Sequence, residues 1–78
     1  MKVIVYSTPV CPYCFMVKDF LKNHKIKYEE VDVSKDREKA QEMIEKSGQM
    51  GVPVTDVDGK IIIGFNMKEL KAALGIKD

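Results

Sequence analysis

The chain offers a single histidine and only two cysteines. A zinc ion held within one chain needs four ligands, so a mononuclear zinc site is set aside and no metal ligand is assigned. The histidine, His24, stands in "KNHKIK", where an exposed residue at a helix end is the simpler reading. A charge excess is missing as well. Thirteen Lys and Arg face twelve Asp and Glu for a formal net charge of +1, with the lysines scattered along the chain. That excludes the basic stripe and high pI of a nucleic-acid binder. No segment approaches the ~18 apolar residues that a membrane span needs. The opening "MKVIVYS" is too short and too β-branched for the core of a secretory signal. The expected address is therefore cytoplasmic, with no membrane and no nucleic-acid partner. Repeats, linkers and low-complexity tracts are absent too. At 78 residues, 45% of them hydrophobic, the chain suits one domain over residues 1–78 with a modest core.

What is present is a succession of short patterned segments. Lys2 to Ser7 carries the run Val3, Ile4, Val5, Tyr6 and reads as a buried strand. From Pro12 to Lys22, the residues Val17, Phe20 and Leu21, with His24 just beyond, fall at helical spacing. "IKYEEVDV", Ile26 to Val33, alternates apolar and charged residues and reads as a second strand. Ser34 or Asp36 can cap a second helix with Ala40, Met43 and Ile44 on its apolar face and Gly48 as its stop. "VPVTDVDGKIIIG" reads as a hairpin turning at Asp58-Gly59. Asn66, three residues before Glu69, makes a capping box for a last helix bearing Leu70, Ala73 and Leu74 and ended by Gly75. The order β-α-β-α-β-β-α predicts a parallel first strand pair with a right-handed crossover, then two antiparallel strands in the same sheet, with helices on both faces. Ligand sites in open α/β sheets lie beyond the carboxyl ends of the strands. The loop from Ser7 to Cys11 is such an end.

Both cysteines stand there, in "CPYC" at 11 to 14. Two thiols placed at random would fall three apart about once in 40 placements, so the pairing is informative. A bridge closing so short a loop constrains almost nothing, and structural disulfides seldom persist in a reducing cytosol. Chemistry is the better reading. Pro12 favours the first helical position, which makes Cys11 the cap residue. The partnerless amides of the first turn, those of Tyr13 and Cys14, are expected to point at the Cys11 sulfur, and the helix dipole adds positive charge there. Thiols so placed ionise at roughly 3.5–7.5 instead of about 8.5, so Cys11 is expected to be the nucleophile. Cys14, one turn deeper, is expected to be the resolving thiol with a more ordinary pKa. Helix positions three apart hold their Cβ atoms about 5–6 Å apart, against about 3.5–4.5 Å in a disulfide. The oxidised form is thus reachable without being deeply stable, as a reversible couple requires.

"GVPV" supplies a second site. A proline cannot donate to a sheet ladder and belongs at a strand start. Beside a Cys-x-x-Cys motif, the Val52-Pro53 bond is expected to be cis. The backbone N–H and C=O of Val52 would then lie open next to Cys11, ready to pair with an extended peptide.

"CPYC" after a first strand, "VP" before a hairpin and "GF" before a last helix resemble the glutaredoxins of the thioredoxin superfamily, over essentially the whole chain. The resemblance implies a thioredoxin-like (glutaredoxin) α/β fold with a four-stranded mixed sheet and three helices. It implies glutathione-dependent reduction of protein disulfides and of glutathione mixed disulfides, with Cys11 as nucleophile and Cys14 resolving. Tyr13, Val52, Pro53, Gly64 and Phe65 match positions that line the family's glutathione groove. Gln49 stands where many glutaredoxins carry Arg or Gln near the glycyl carboxylate. Backbone N–H groups of Phe65, Asn66 and Met67 at a helix start can hold the γ-glutamyl carboxylate. Glutathione is then the cosubstrate, with no bound cofactor. The partners are disulfide-containing or glutathionylated proteins, met by a monomer.

Three positions depart from that pattern. Thr8 replaces a usual Lys, Gly51 a frequent Thr, and "GFNMKE" a Gly-Gly pair with acidic residues after it. Glutathione carries two carboxylates and an ammonium, so the missing Lys weakens its capture. "GF" before a capped helix also resembles the redoxins that supply ribonucleotide reductase and are themselves reduced by thioredoxin reductase, which is the second reading. A third, of another class, is a [2Fe–2S] cluster shared by two subunits through Cys11 of each and two glutathiones. Pro12 stiffens the turn against it, and CPYC members carry clusters less often.

Overall fold

The computed structural model describes residues 2–76. Its elements follow the expected order: β1 (Val3–Ser7), α1 (Pro12–Asn23), β2 (Glu29–Asp32), α2 (Arg37–Ser47), β3 (Val54–Val57), β4 (Lys60–Ile63) and α3 (Met67–Leu74). The strands lie side by side as β2-β1-β3-β4. β1 pairs parallel with β2 and antiparallel with β3, and β3 pairs antiparallel with β4. This is the thioredoxin-like fold.

Period-two alternation divides β1 between two cores. Val3 and Val5 join Val57 and Ile62 beneath Val17, Phe20 and Leu21 of α1 and Leu70 and Leu74 of α3. Tyr6 points the other way, with Val54 and Met43 of α2, and Ile4, Val31 and Ile61 pack around them. Each fully buried Leu contributes about 1.5–3 kcal/mol relative to an exposed one. Because β1 is central and α1 covers it, the end of β1 and the start of α1 are held rigidly against each other.

Local signals place the helix ends. Asp36, rather than Ser34, caps α2 by accepting the Lys39 N–H at 3.1 Å. The Ser34 hydroxyl and amide are already committed to Asp32. Asn66 caps α3 by accepting the Glu69 N–H at 3.1 Å. At the hairpin, Asp58 and Gly59 both have positive φ, 50° and 92°, as a tight two-residue turn demands.

The second strand is shorter than its alternation suggests, starting at Glu29 instead of Ile26. The reason lies in α1. Lys25 adopts a left-handed φ of 57°, while its N–H returns to the Lys22 carbonyl and the Ile26 N–H to the Leu21 carbonyl. That pair of bonds is the Schellman closure of a helix. It uses the Ile26 amide that a strand would need. Ile26 and Tyr28 still pack against the α1–α3 core, but from a connecting segment.

One polar atom in the core is unsatisfied. Thr55 is fully buried on β3, opposite Val5 and Ile62, and its hydroxyl has no hydrogen-bond partner among the described residues. Burying an unpaired hydroxyl costs about 1–3 kcal/mol. Thr55→Val is therefore expected to stabilise the fold by about 1 kcal/mol. Urea unfolding should show a higher midpoint with an unchanged slope, and a lower midpoint would mean that the hydroxyl is paired after all.

Candidate active site

The chain leaves β1 at Ser7 and turns once, with the Cys11 N–H reaching the Thr8 carbonyl at 3.5 Å. Cys11 keeps an extended backbone, with φ −96° and ψ 111°, and Pro12 begins the helix behind it. The sulfur of Cys11 accepts the Cys14 N–H at 3.2 Å. Of the two amides expected to point at the sulfur, Cys14 supplies the bond. Such a donor at a helix N-terminus interacts more strongly with a charged sulfur than with a neutral one.

The two thiols are free and differ sharply in their surroundings. Cys11 is half-buried and opens to solvent, whereas Cys14 is 0% exposed. Cys14 departs from the ordinary pKa expected of it. Burial, reinforced by the neighbouring Cys11 sulfur, pushes its thiol up to about 12, against a partial pull downward from the Thr8 amide and the Lys18 charge. The pair is therefore one accessible sulfur backed by one that is sealed and held neutral.

The segment before β3 meets this helix start from across the sheet. The Val52-Pro53 bond is cis, as expected. The Val52 carbonyl oxygen lies 3.8 Å from Cys11 Sγ. Pro53 is buried behind it, and its carbonyl accepts the Gly64 N–H at 2.8 Å. Gly64 has a φ of 74°, a conformation that suits glycine. Cys11, Val52, Pro53 and Gly64 are thus drawn into one neighbourhood, with Tyr13 projecting from its edge, 60% exposed.

One expected contact, that of the Gln49 side chain, takes a different form. The Gln49 side chain closes on the backbone of Gly51: Oε1 accepts the Gly51 N–H at 2.6 Å and Nε2 donates to the Gly51 carbonyl at 2.9 Å. A Cβ on Gly51 would stand 2.7 Å from that Oε1, so the glycine is what lets the amide sit there. Gln49 is consequently engaged within its own loop. Phe65 turns its ring into the core, edge-on to Phe20 at 6.5 Å. Asn66 spends its side chain on the α3 cap.

Two exposed residues escaped the sequence reading. Val10 is 86% and Met50 79% exposed, the first immediately before Cys11 and the second just before Gly51 and Val52. Apolar residues within the loops that deliver both halves of a site were the available signal. Tyr13, within the CPYC motif itself, is exposed and aromatic as well.

A family model for glutaredoxins matches residues 3–62. The chain belongs to the glutaredoxin family. With that family comes thiol–disulfide oxidoreductase chemistry as its general activity. This glutaredoxin-family chain is 46% identical over 66 residues to a glutaredoxin-like 8.6 kDa protein of the rubredoxin operon of Clostridium pasteurianum, covering 85% of this chain and 88% of that one. It is 35% identical over 68 residues to the glutaredoxin-like protein NrdH of Lactococcus lactis, covering 87% and 93% of the two chains. Among solved structures, the T8A mutant of the thioredoxin-like protein BC3987 superposes with a TM-score of 0.91 at 36% identity, covering 97% of each chain.

Proposed function

We propose that this glutaredoxin-family protein is a cytoplasmic dithiol redoxin that reduces disulfides in proteins and is itself re-reduced by a flavoprotein of the thioredoxin reductase type. The observation that carries this reading is the closure of Gln49 onto Gly51. With that amide engaged and Thr8 in place of a cation, the side chains that would hold the carboxylates of glutathione are missing or occupied. The exposed apolar side chains of Val10, Tyr13 and Met50 beside the two halves of the site suit a protein surface better than a small, charged tripeptide. The likeness to an NrdH protein over most of both chains points the same way.

In this reading Cys11 attacks the target disulfide, the extended target backbone pairs with Val52, and Cys14 then displaces the target from the mixed disulfide. The step from mixed to internal disulfide needs no group beyond the two thiols. Two free thiols in a Cys-x-x-Cys pair suit a reducing compartment. Among the described residues, no helix is long and apolar enough to cross a membrane.

Glutathione-linked reduction is the competing reading. It draws on the Val52 backbone, whose carbonyl lies against Cys11 Sγ, and on the amides at the start of α3. Two coupled assays separate the two, one supplying NADPH and thioredoxin reductase, the other NADPH, glutathione and glutathione reductase, each with insulin as the protein disulfide. Turnover is expected at least roughly tenfold faster in the first, a difference of about 1.4 kcal/mol in transition-state stabilisation. Faster turnover in the glutathione assay would reverse the assignment.

A further inference from the structure

Cys14 must lose a proton before it can attack, yet it is wholly buried. Lys18 follows it by one turn of α1. Helix positions four apart share a face, with Cβ atoms about 5–6 Å apart. The Lys18 ammonium is fixed. Its side chain is 13% exposed and its Nζ is 2.7 Å from Glu30 Oε2 on β2. It also lies 4.7 Å from the centre of the Phe15 ring. The same Glu30 oxygen is 3.5 Å from the hydroxyl of Ser7, which is buried at the end of β1. A cation is therefore clamped one turn below the sealed thiol, with its counter-charge on the neighbouring strand.

We propose that Lys18, held in place by Glu30, is a positioning residue of the resolving step: its fixed positive charge stabilises the Cys14 thiolate as it forms, and Glu30 sets how much of that charge the sulfur feels. The proposal rests on the dithiol reading given above. The groups that face Cys14 are few. From its own helix there are Cys11 and Lys18, and from the loop after β1 the Thr8 amide, while Glu30 of β2 acts on the thiol only through its ion pair with Lys18. From across the sheet comes the Val52 carbonyl, which lies against Cys11. The α3 side chains on this face, Leu70 and Leu74, are apolar. Tyr6, which bonds Lys46 and Glu42, belongs to the opposite core. Lys18 is the cation acting on the thiol, and it opposes the upward push of burial.

The Cys14 S–H gives up its proton, and the resulting thiolate attacks Cys11 Sγ in the mixed disulfide. The bond between Cys11 and the target sulfur breaks, and the Cys11–Cys14 bond forms. The target leaves as a thiolate and takes up the proton released by Cys14. The redoxin loses two electrons and the target disulfide gains them.

Stopped-flow reaction of the reduced protein with dithiobis-nitrobenzoate reads the two attacks separately. The first release of coloured thiolate reports Cys11 and the second reports Cys14. Cys14→Ser identifies the second phase by losing it. Lys18→Met is expected to slow the second phase several-fold and leave the first unchanged, at roughly threefold per unit of pKa once greater basicity offsets half of the lost ionisation. The rise of the second phase with pH should move to higher pH in the same variant. Lys18→Arg should restore both. Glu30→Gln, which removes the counter-charge, should speed the second phase. A second phase in Lys18→Met equal to wild type at every pH would overturn the proposal. So would equal slowing of both phases, or failure of Lys18→Arg to rescue. A wild-type protein with no second phase would instead remove the dithiol reading itself.

Discussion

Cys11→Ser is expected to reduce thiol transfer to background with every substrate, while Cys14→Ser keeps one reaction and loses the other. The asymmetry follows from placement. Cys11 is the accessible sulfur at the helix cap, bonded by the Cys14 amide. Cys14 is sealed and neutral. In Cys14→Ser, Cys11 can still take the glutathionyl group from a glutathionylated protein, since that needs one nucleophile. It can also attack a protein disulfide, but the mixed disulfide then has no internal thiol to resolve it. Well-oriented intramolecular groups act at very high effective concentration, so turnover on protein disulfides should fall roughly a hundredfold or more. The check is parallel steady-state assays with insulin and with a glutathionylated protein, with circular dichroism to confirm folding. Equal loss in both variants on the glutathionylated substrate would contradict the division of roles.

The second large effect concerns stability. Lys46 of α2 donates to Tyr6 Oη and to Asp56 Oδ2, each at 2.8 Å, and Tyr6 Oη donates to Glu42 Oε2. Asp56 also accepts the Gly59 N–H at 2.7 Å. These bonds fasten α2 across β1 and β3. Burial acts to raise the Asp56 carboxyl, but Lys46 and the Gly59 amide outweigh it and hold the group below its ordinary range. The Asp56 bond, and then Tyr6, raise Lys46 above the usual lysine range. Lys46→Met leaves a buried carboxylate without its main partner, at a cost of about 2 kcal/mol near neutral pH.

The pH dependence has a definite sign. A carboxyl depressed in the folded state contributes stability above its ordinary pKa of about 3.9, and that contribution is lost as pH falls through the folded value. A raised lysine contributes below about 10.4 and loses its contribution as pH rises through the folded value. The gap between wild type and Lys46→Met should therefore be full around neutrality, begin to shrink near pH 4, and close as pH falls through the depressed folded value of Asp56, below which the carboxyl is neutral in both proteins. Urea midpoints at neutral and acid pH measure it. A gap that does not change with pH would assign the loss to packing of the lysine stem.

Much of this architecture is written in short-range signals. Asp58-Gly59, the Asn66 cap and the Gly48 and Gly75 stops each specify a local backbone through a few residues, and each stands where its chemistry puts it. "CPYC" behind an apolar strand marks the reactive end of the sheet for the same reason. What the sequence hides is of three kinds. The left-handed Lys25 carries no glycine to announce the Schellman closure, so β2 reads too long. Tyr6, Lys46 and Asp56 come together from three separate elements, and no local pattern links them. Gln49 depends on a choice between a ligand and its own loop, which only the backbone path at Gly51 decides. The strength of burial at Cys14 belongs with these, since it depends on how closely α1 lies against the end of β1.

The most direct test is competitive alkylation of the reduced wild-type protein with limiting iodoacetamide at neutral pH, with the label located by peptide fragmentation. The cap sulfur should carry nearly all of it, with Cys14 left unmodified until the protein is unfolded. Label found first on Cys14, or shared evenly between the two, would contradict the account of an open nucleophile backed by a sealed resolving thiol.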